Sequence, residues 1–328
     1  MQKVSRYRNW KDEYVFSLCI ANPALLLQFF SCTDLERDLF DLHPRYYFCL
    51  VIDDPVDSSK LAAYAFYYYH FGTWTGRKMY LRDIYVTEAH KKKGMGDLLF
   101  RSLVKKGVSM NCFDMDFTVA NWNEAAQKFY KARKAVDITQ KEAWHIFRIN
   151  SDSMKTFAAS ASKTTFIARE AKREDFKEVR RLIQELADFE KMPEGPQINE
   201  KDLERDAFDV SPPLFSCYVV DDPNDSSKLI GYAIYYYGYG TLVGQRMYLE
   251  DICVTEAHRG KGIGNILFKK VIQKAVKMNF ADMDFVVLDW NPAQEFYRAK
   301  GAVDITEKEG WLLFRLHAED MLSVAELK

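Results

Sequence analysis

Apolar residues recur at helical spacing between Asp175 and Glu190, where Phe176, Val179, Leu182, Ile183 and Leu186 share one stripe. The same spacing returns between Gly264 and Met278, with Leu267, Val271 and Ala275 four residues apart. Runs rich in aromatic and β-branched residues predict strands over 215–220, 229–239, 247–254, 283–288 and 311–316, with a short one over 166–170. A second, short helix is predicted over 202–208. Asn291 reads as an N-cap and Pro292 as the first position of a further helix carrying Phe296 and Tyr297. The predicted order is β-α-α-β-β-β-α-β-α-β, an α/β sandwich rather than a doubly wound nucleotide fold.

This pattern occurs twice. Tyr248 to Gly264 reads YLEDICVTEAHRGKGIG, and Tyr80 to Gly96, 168 positions earlier, reads YLRDIYVTEAHKKKGMG. The offset holds upstream, where Asp53-Asp54-Pro55 matches Asp221-Asp222-Pro223 in a polar hairpin loop. It falls to 167 between Trp290 and Tyr297, so the C-terminal copy lacks one residue there. Three differences carry chemistry: Glu250 against Arg82, Arg259 against Lys91, and Gly260 against Lys92. The repeat predicts a domain over 1–150, a Ser/Ala/Lys/Thr-rich linker over 151–163, and a second domain over 164–328.

With 328 residues, 48% hydrophobic and 28% charged, the chain has the composition of a globular protein of about two domains. A net charge of −1 gives no field to attract nucleic acid or an anionic membrane. The apolar runs are of strand length, so no membrane span is expected, and neither Met1–Trp10 nor Leu25–Phe30 has a signal-peptide pattern. The six cysteines (Cys19, Cys32, Cys49, Cys112, Cys217, Cys253) form no C-x-x-C pair, and no His stands at zinc-ligand spacing, so no metal is expected. Cys49 and Cys217 read as small buried hydrophobes, and a reducing compartment, cytoplasmic or nuclear, is expected, with cytoplasmic the reading taken.

The strand 247–254 runs into Arg259-Gly-Lys-Gly-Ile-Gly264 and then a helix. Free N–H groups, the positive end of the helix dipole and Arg259 suit a phosphate. For the glycines alone, a turn that merely starts a helix is the alternative. The loop is neither a Walker A loop nor the G-x-G-x-x-G dinucleotide fingerprint. The R-x-x-G-x-G arrangement after a strand resembles the acyl-CoA loop of GCN5-related N-acetyltransferases (GNAT). Ile167–Lys172, Glu185–Lys191, Tyr248–Ile252, Leu288–Asn291 and Glu309–Trp311 extend the likeness. Together they resemble the spermidine/spermine acetyltransferase family, most closely its thialysine Nε-acetyltransferase branch. The likeness covers roughly residues 164–317, with a weaker version over 32–149. It implies two tandem GNAT-type mixed-sheet α/β domains, the N-terminal one degenerate.

The resemblance implies roles. Acetyl-CoA, the co-substrate, would pair its pantetheine arm with the backbone of Ile252, Cys253 and Val254. Its pyrophosphate would sit on Arg259, Gly260, Lys261, Gly262, Ile263, Gly264 and Asn265, with Asn291 nearby. Tyr297 would protonate the departing thiolate, and Glu250 would accept the amine proton. Glu190, Asp251, Glu309 and Trp311 would line the amine pocket. A primary amine has a pKa of about 10 and arrives protonated, so carboxylates suit both binding and deprotonation. Read alone, Glu250 and Asp251 could be solvated strand-end acids, and Tyr297 a core aromatic. His90 and His258 read as structural, the runs Tyr67–Tyr69 and Tyr235–Tyr237 as core and rim, and Lys91-Lys92-Lys93 as a solvated turn.

Two departures from the family stand out. Its Trp before the catalytic strand is Leu242 in the C-terminal copy but is kept as Trp74 in the N-terminal one, with Gly240 at a usually polar position, which predicts an altered amine pocket. Pro292 predicts that the lost residue lies at the helix start, where it does not rotate Tyr297. The expected activity is N-acetylation of a small amine, either a thialysine- or lysine-like amino acid or a polyamine. The alternatives are an inactive acyl-CoA- or polyamine-binding pseudoenzyme and a protein-lysine acetyltransferase. The family works as homodimers, so the expected assembly is an intrachain pseudodimer or a homodimer.

Overall fold

The computed structural model describes residues 7–8, 14–15, 37–57, 60–161 and 164–326. The readings of Met1–Trp10 as a whole, Leu25–Phe30, Cys19 and Cys32 lie outside them.

The described strands, in chain order, are β1 (Tyr7–Arg8), β2 (Tyr14–Val15), β3 (Tyr47–Asp53), β4 (Leu61–Gly72), β5 (Gly76–Val86), β6 (Asp114–Ala120), β7 (Val136–Asp137) and β8 (Trp144–Asn150). They continue as β9 (Ala168–Glu170), β10 (Ser216–Asp221), β11 (Leu229–Gly240), β12 (Gly244–Val254), β13 (Asp282–Leu288), β14 (Val303–Asp304) and β15 (Trp311–His317). The helices are α1 (Met95–Ser109), α2 (Glu124–Lys131), α3 (Ile138–Glu142), α4 (Ser151–Ala159), α5 (Phe176–Phe189), α6 (Glu200–Glu204), α7 (Ile263–Lys277), α8 (Ala293–Arg298), α9 (Ile305–Glu309) and α10 (Ala318–Glu326). The predicted strands and helices of the C-terminal copy all form, within a few residues of their expected ends. The order omitted α9, α10 and the short β14.

The sheets do not respect the boundary between the repeats. One runs β14-β8-β13-β12-β11-β10-β9 and the other β3-β4-β5-β6-β15-β7. β8, from the N-terminal copy, pairs antiparallel with β13 over its whole length, from Asn150 opposite Asp282 to Trp144 opposite Leu288. β15, from the C-terminal copy, pairs in the same way with β6. Each lobe thus receives its penultimate strand from the other half of the chain.

The segments that follow the exchanged strands cross as well. Residues 151–159, expected as linker, form α4, capped where the Asn150 side chain accepts from Ser153 N–H at 2.9 Å. Met154 is fully buried and Phe157 packs beside it in the core beneath α7. The equivalent α10 buries Met321 and Val324 under α1. Two buried apolar positions among small polar ones carried too weak a period to be read as a helix.

Ion pairs lock the exchanged strands. The Arg148 guanidinium donates to both oxygens of Asp284, at 2.7 and 2.8 Å, and Arg315 to both of Asp116, at 2.6 and 3.0 Å. Arg246 joins the first pair and Lys78 the second. Between the lobes lies a single continuous core, in which Tyr47 and Phe66 meet Tyr239 with ring centroids 4.7 and 5.0 Å apart. Phe71 meets Phe215 at 4.2 Å. Buried Asp38 and Asp206 tie the lobes from opposite sides, accepting from Tyr239 and Gln245 and from Arg77 respectively. The two copies are therefore joined by exchanged strands and a shared core.

Candidate functional site

Strands β12 and β13 run parallel but are in register only at Met247–Met283 and Tyr248–Asp284. Beyond Tyr248 they diverge, so the edge of β12 that faces β13 carries free backbone donors and acceptors. On the other edge, the ladder to β11 steps from Asp251 opposite Ile234 to Leu249 opposite Tyr235. Glu250 is therefore the extra residue of a β-bulge, a feature that turns a side chain away from regular alternation.

A groove of about 900 Å³ starts at the split. It is lined by Ile252, Cys253 and Val254, by Arg259 through Asn265, and by Asn291, so all eleven residues expected to hold the cofactor lie together. Gly260 and Gly262 have φ of +76° and +87°, a left-handed backbone open to glycine at little cost. A Cβ on Gly260 would meet nothing within 4 Å, so its backbone faces open space. Gly262 caps α7, whose first N–H groups have no intrahelical acceptor. Arg259 is held against the strand end by donating to the Val254 carbonyl at 3.1 Å and lies over the Phe189 ring. In the other lobe Lys92 takes the same backbone conformation (φ +62°) with a side chain attached.

A second cavity, of about 130 Å³, adjoins this groove. Leu186, Ile252, Asn291, Ala293 and Tyr297 line both. Glu190, Glu250 and Asp251 bring three carboxyls into it. Burial, then repulsion from Asp251, pushes the Glu250 carboxyl up to about 8. Burial, then repulsion from Asp251 and Glu250, pushes Glu190 to about 8 as well. Asp251 is also raised by burial, against the opposing pull of hydrogen bonds from Thr73 and from the Tyr232 hydroxyl at 3.0 Å. Glu190 reaches the cavity because α5 stops at Phe189 and Lys191 takes φ +62°.

Tyr297 is both the core aromatic and the cavity-lining phenol that its two sequence readings set against each other. Its ring packs on Phe285 at 4.4 Å, and burial, followed by Asp251 and Glu190, holds its phenol well above the usual range. Tyr130 packs on Phe117 in the same way, at 4.3 Å. The missing residue thus costs α8 part of its first turn and leaves Tyr297 in place; the Asn291 side chain accepts from Ala293 N–H at 2.9 Å.

The contact between the lobes and the exchanged strands bring in residues that the reading of one copy at a time missed. Thr73, Trp74, Thr75, Lys78 and Trp144 from the N-terminal copy line the acid cavity, with Arg315 from β15. Trp74 therefore stands at the acid set, although the C-terminal copy has Leu242 at that position. Gly195 holds it there, since a Cβ on that residue would lie 2.9 Å from the indole. Glu309 and Trp311 do not join Glu250. They line a different cavity with Arg82, and Trp144 takes the equivalent place beside the acids. Each Trp donates its indole N–H to the acid two residues before it, Trp144 to Glu142 and Trp311 to Glu309. The signal for this crossing was the family's dimeric habit, not any local motif.

Other sequence readings resolve simply. His90 and His258 hydrogen-bond Thr87 and Thr255 at the loop starts, and Cys49, Cys112, Cys217 and Cys253 are buried and free. Tyr67, Tyr68, Tyr235 and Tyr236 are buried. Among the described residues no helix is long and apolar enough to cross a membrane.

The chain is similar in sequence to known acetyltransferases. The mouse thialysine N-epsilon-acetyltransferase is 41% identical over 163 residues, 48% of this chain and 95% of that protein. The human spermidine/spermine N(1)-acetyltransferase-like protein 1 is 39% identical over 165 residues, 49% of this chain and 24% of that protein. A solved tandem GNAT protein from the clavulanic acid biosynthesis pathway aligns over 83% of each chain at 11% identity, with a TM-score of 0.46. The acetyltransferase (GNAT) family pattern matches residues 12–134 and again 178–302. Matched over most of its length, and similar to proteins named as N-acetyltransferases, the chain is an N-acetyltransferase of the GNAT family.

Proposed function

We propose that the C-terminal lobe transfers the acetyl group of acetyl-CoA to a small primary amine, a thialysine- or lysine-like amino acid or a polyamine. The observation that carries this is the position of Tyr297, which lines both the loop groove and the three-acid cavity. A group there can touch both a thioester from one side and an amine from the other.

The chemistry follows from the residues. The split edge at Ile252–Val254 suits the amide-bearing pantetheine arm, and the Arg259–Asn265 loop suits a pyrophosphate. The three acids attract an ammonium group, and its charge in turn draws protons off carboxyls poised near 8. Glu250 takes the amine proton, the free nitrogen attacks the acetyl carbonyl, and backbone N–H groups at the strand split can stabilise the developing oxyanion. When the C–S bond breaks, Tyr297 gives its proton to the thiolate. The printed names of the relatives, thialysine and spermidine/spermine acetyltransferases, support an amine of this size.

The test is release of free thiol from acetyl-CoA against a panel of amines. Tyr297→Phe and Glu250→Gln are each expected to lower kcat/KM about 100-fold, the usual contribution of a positioned acid or base. Unchanged rates in both variants would refute these roles. No amine-dependent release, with CoA still bound, would make the chain a binding module instead.

A further inference from the structure

The acid cavity has a counterpart of opposite charge. A cavity of about 210 Å³ is lined by Arg82, Leu242, Arg246, Trp311 and Arg148, which occupy the places of Glu250, Trp74, Lys78, Trp144 and Arg315. The two cavities lie back to back and share Val286 and Leu313 as a wall. Arg148 and Arg246 are committed to Asp284 and Asp282. Glu309 accepts from the Trp311 indole. Arg82 is the exception. Its Nε, like that of Arg246, is buried and has no hydrogen-bond partner among the described residues, but Arg82 also makes no ion pair there. Asp83, the next residue, and Asp284 attract its charge without hydrogen-bonding it. A buried guanidinium nitrogen without a partner is costly, and an anion would satisfy it.

We infer that this cavity is a binding site for a small organic monocarboxylate, whose carboxylate pairs with Arg82 and whose apolar body lies among the aromatic rings. Two features favour a monocarboxylate over phosphate. Only one of the three arginines makes no ion pair among the described residues, which matches a single negative charge. The remaining wall is mostly apolar or aromatic, with Tyr68 and Tyr80 stacked at 5.0 Å, which suits a carbon skeleton. The site does not depend on acetyl transfer in the other lobe, because neither Arg82 nor Leu242 lines the acid cavity.

The probe is 4-fluorobenzoate, with 4-fluorobenzylamine as the charge control, followed by ligand-observed fluorine NMR on the full chain. Saturable binding of the carboxylate is expected. Arg82→Gln should weaken it at least about tenfold, the worth of one charge-assisted hydrogen bond, while Arg82→Lys retains most of it. Leu242→Trp, at a half-exposed position, should block it by filling the mouth, and so decides the matter if Arg82→Gln fails to fold. Absence of saturable binding would overturn the inference. So would binding untouched by Leu242→Trp, or amine binding that Leu242→Trp abolishes.

Discussion

The two cavities beside Val286 and Leu313 are built from the same positions, yet one gathers Glu250, Trp74 and Trp144 and the other Arg82, Leu242 and Trp311. Read copy by copy, the chain shows scattered losses: the N-terminal copy without its acid, the C-terminal copy without its Trp. Read cavity by cavity, the losses coincide. Each of these two cavities draws on both copies, Trp144 or Trp311 coming on an exchanged strand and Trp74 or Leu242 on a hairpin turn of the facing lobe, so the kept acid meets the kept Trp, and the Arg meets the Leu. The pair teaches that a duplicated chain can keep one complete site by letting each copy decay at different positions.

The comparison can be broken first at the exchanged strand. Arg315→Met would leave buried Asp116 with Lys78, 3.7 Å away, as its one ion-pair partner among the described residues, and should cost about 3 kcal/mol in urea unfolding, because removing one partner strands the other charge. A loss under about 1 kcal/mol would mean that the ion pair does not hold the exchange.

Trp74→Leu copies the degenerate cavity into the intact one. It should lower kcat/KM for the amine about tenfold, the effect of truncating a half-buried Trp contact, with thermal melting as the control for folding. An unchanged value would remove the N-terminal copy from the site.

The acids supply a pH signature. Glu190 has a folded pKa of about 8 against an ordinary 4.5, so its stabilising contribution is complete below pH 4.5 and is lost as pH rises through 8. Glu190→Gln removes that dependence. The melting temperature of the variant relative to wild type should therefore climb between pH 5.5 and pH 9, and parallel profiles would contradict the shift.

The smallest effect is expected at Lys92→Gly. A left-handed φ of +62° disfavours Lys, and Gly, as at position 260, relieves it. A gain of about 0.5 kcal/mol in chemical unfolding is expected, since the greater entropy of unfolded Gly offsets part of the relief.

Most strands, the long helices and the glycine-loop side of the groove were legible, because they rest on local patterns: the apolar stripe of α5, the Gly spacing after β12, and Asn291 before α8. The crossing was not. β8 and β15 read WHIFRIN and WLLFRLH, and an Arg in the same place on each meets an Asp in either sheet, so the pattern fits both pairings. What decides between them is long-range, set by α4 and α10 docking on the opposite lobes. That is why Glu309 and Trp311 were expected beside Glu250, and why Thr73, Trp74 and Trp144 went unassigned.

The most direct test places the residue of one cavity into the other. Thiol release from acetyl-CoA with thialysine, lysine and spermidine should be measured for wild type and for Glu250→Arg, with CoA binding followed separately. The account predicts amine-dependent release by the wild type, a fall of at least about 100-fold in Glu250→Arg, and retained CoA binding. Equal turnover by the two proteins would contradict it.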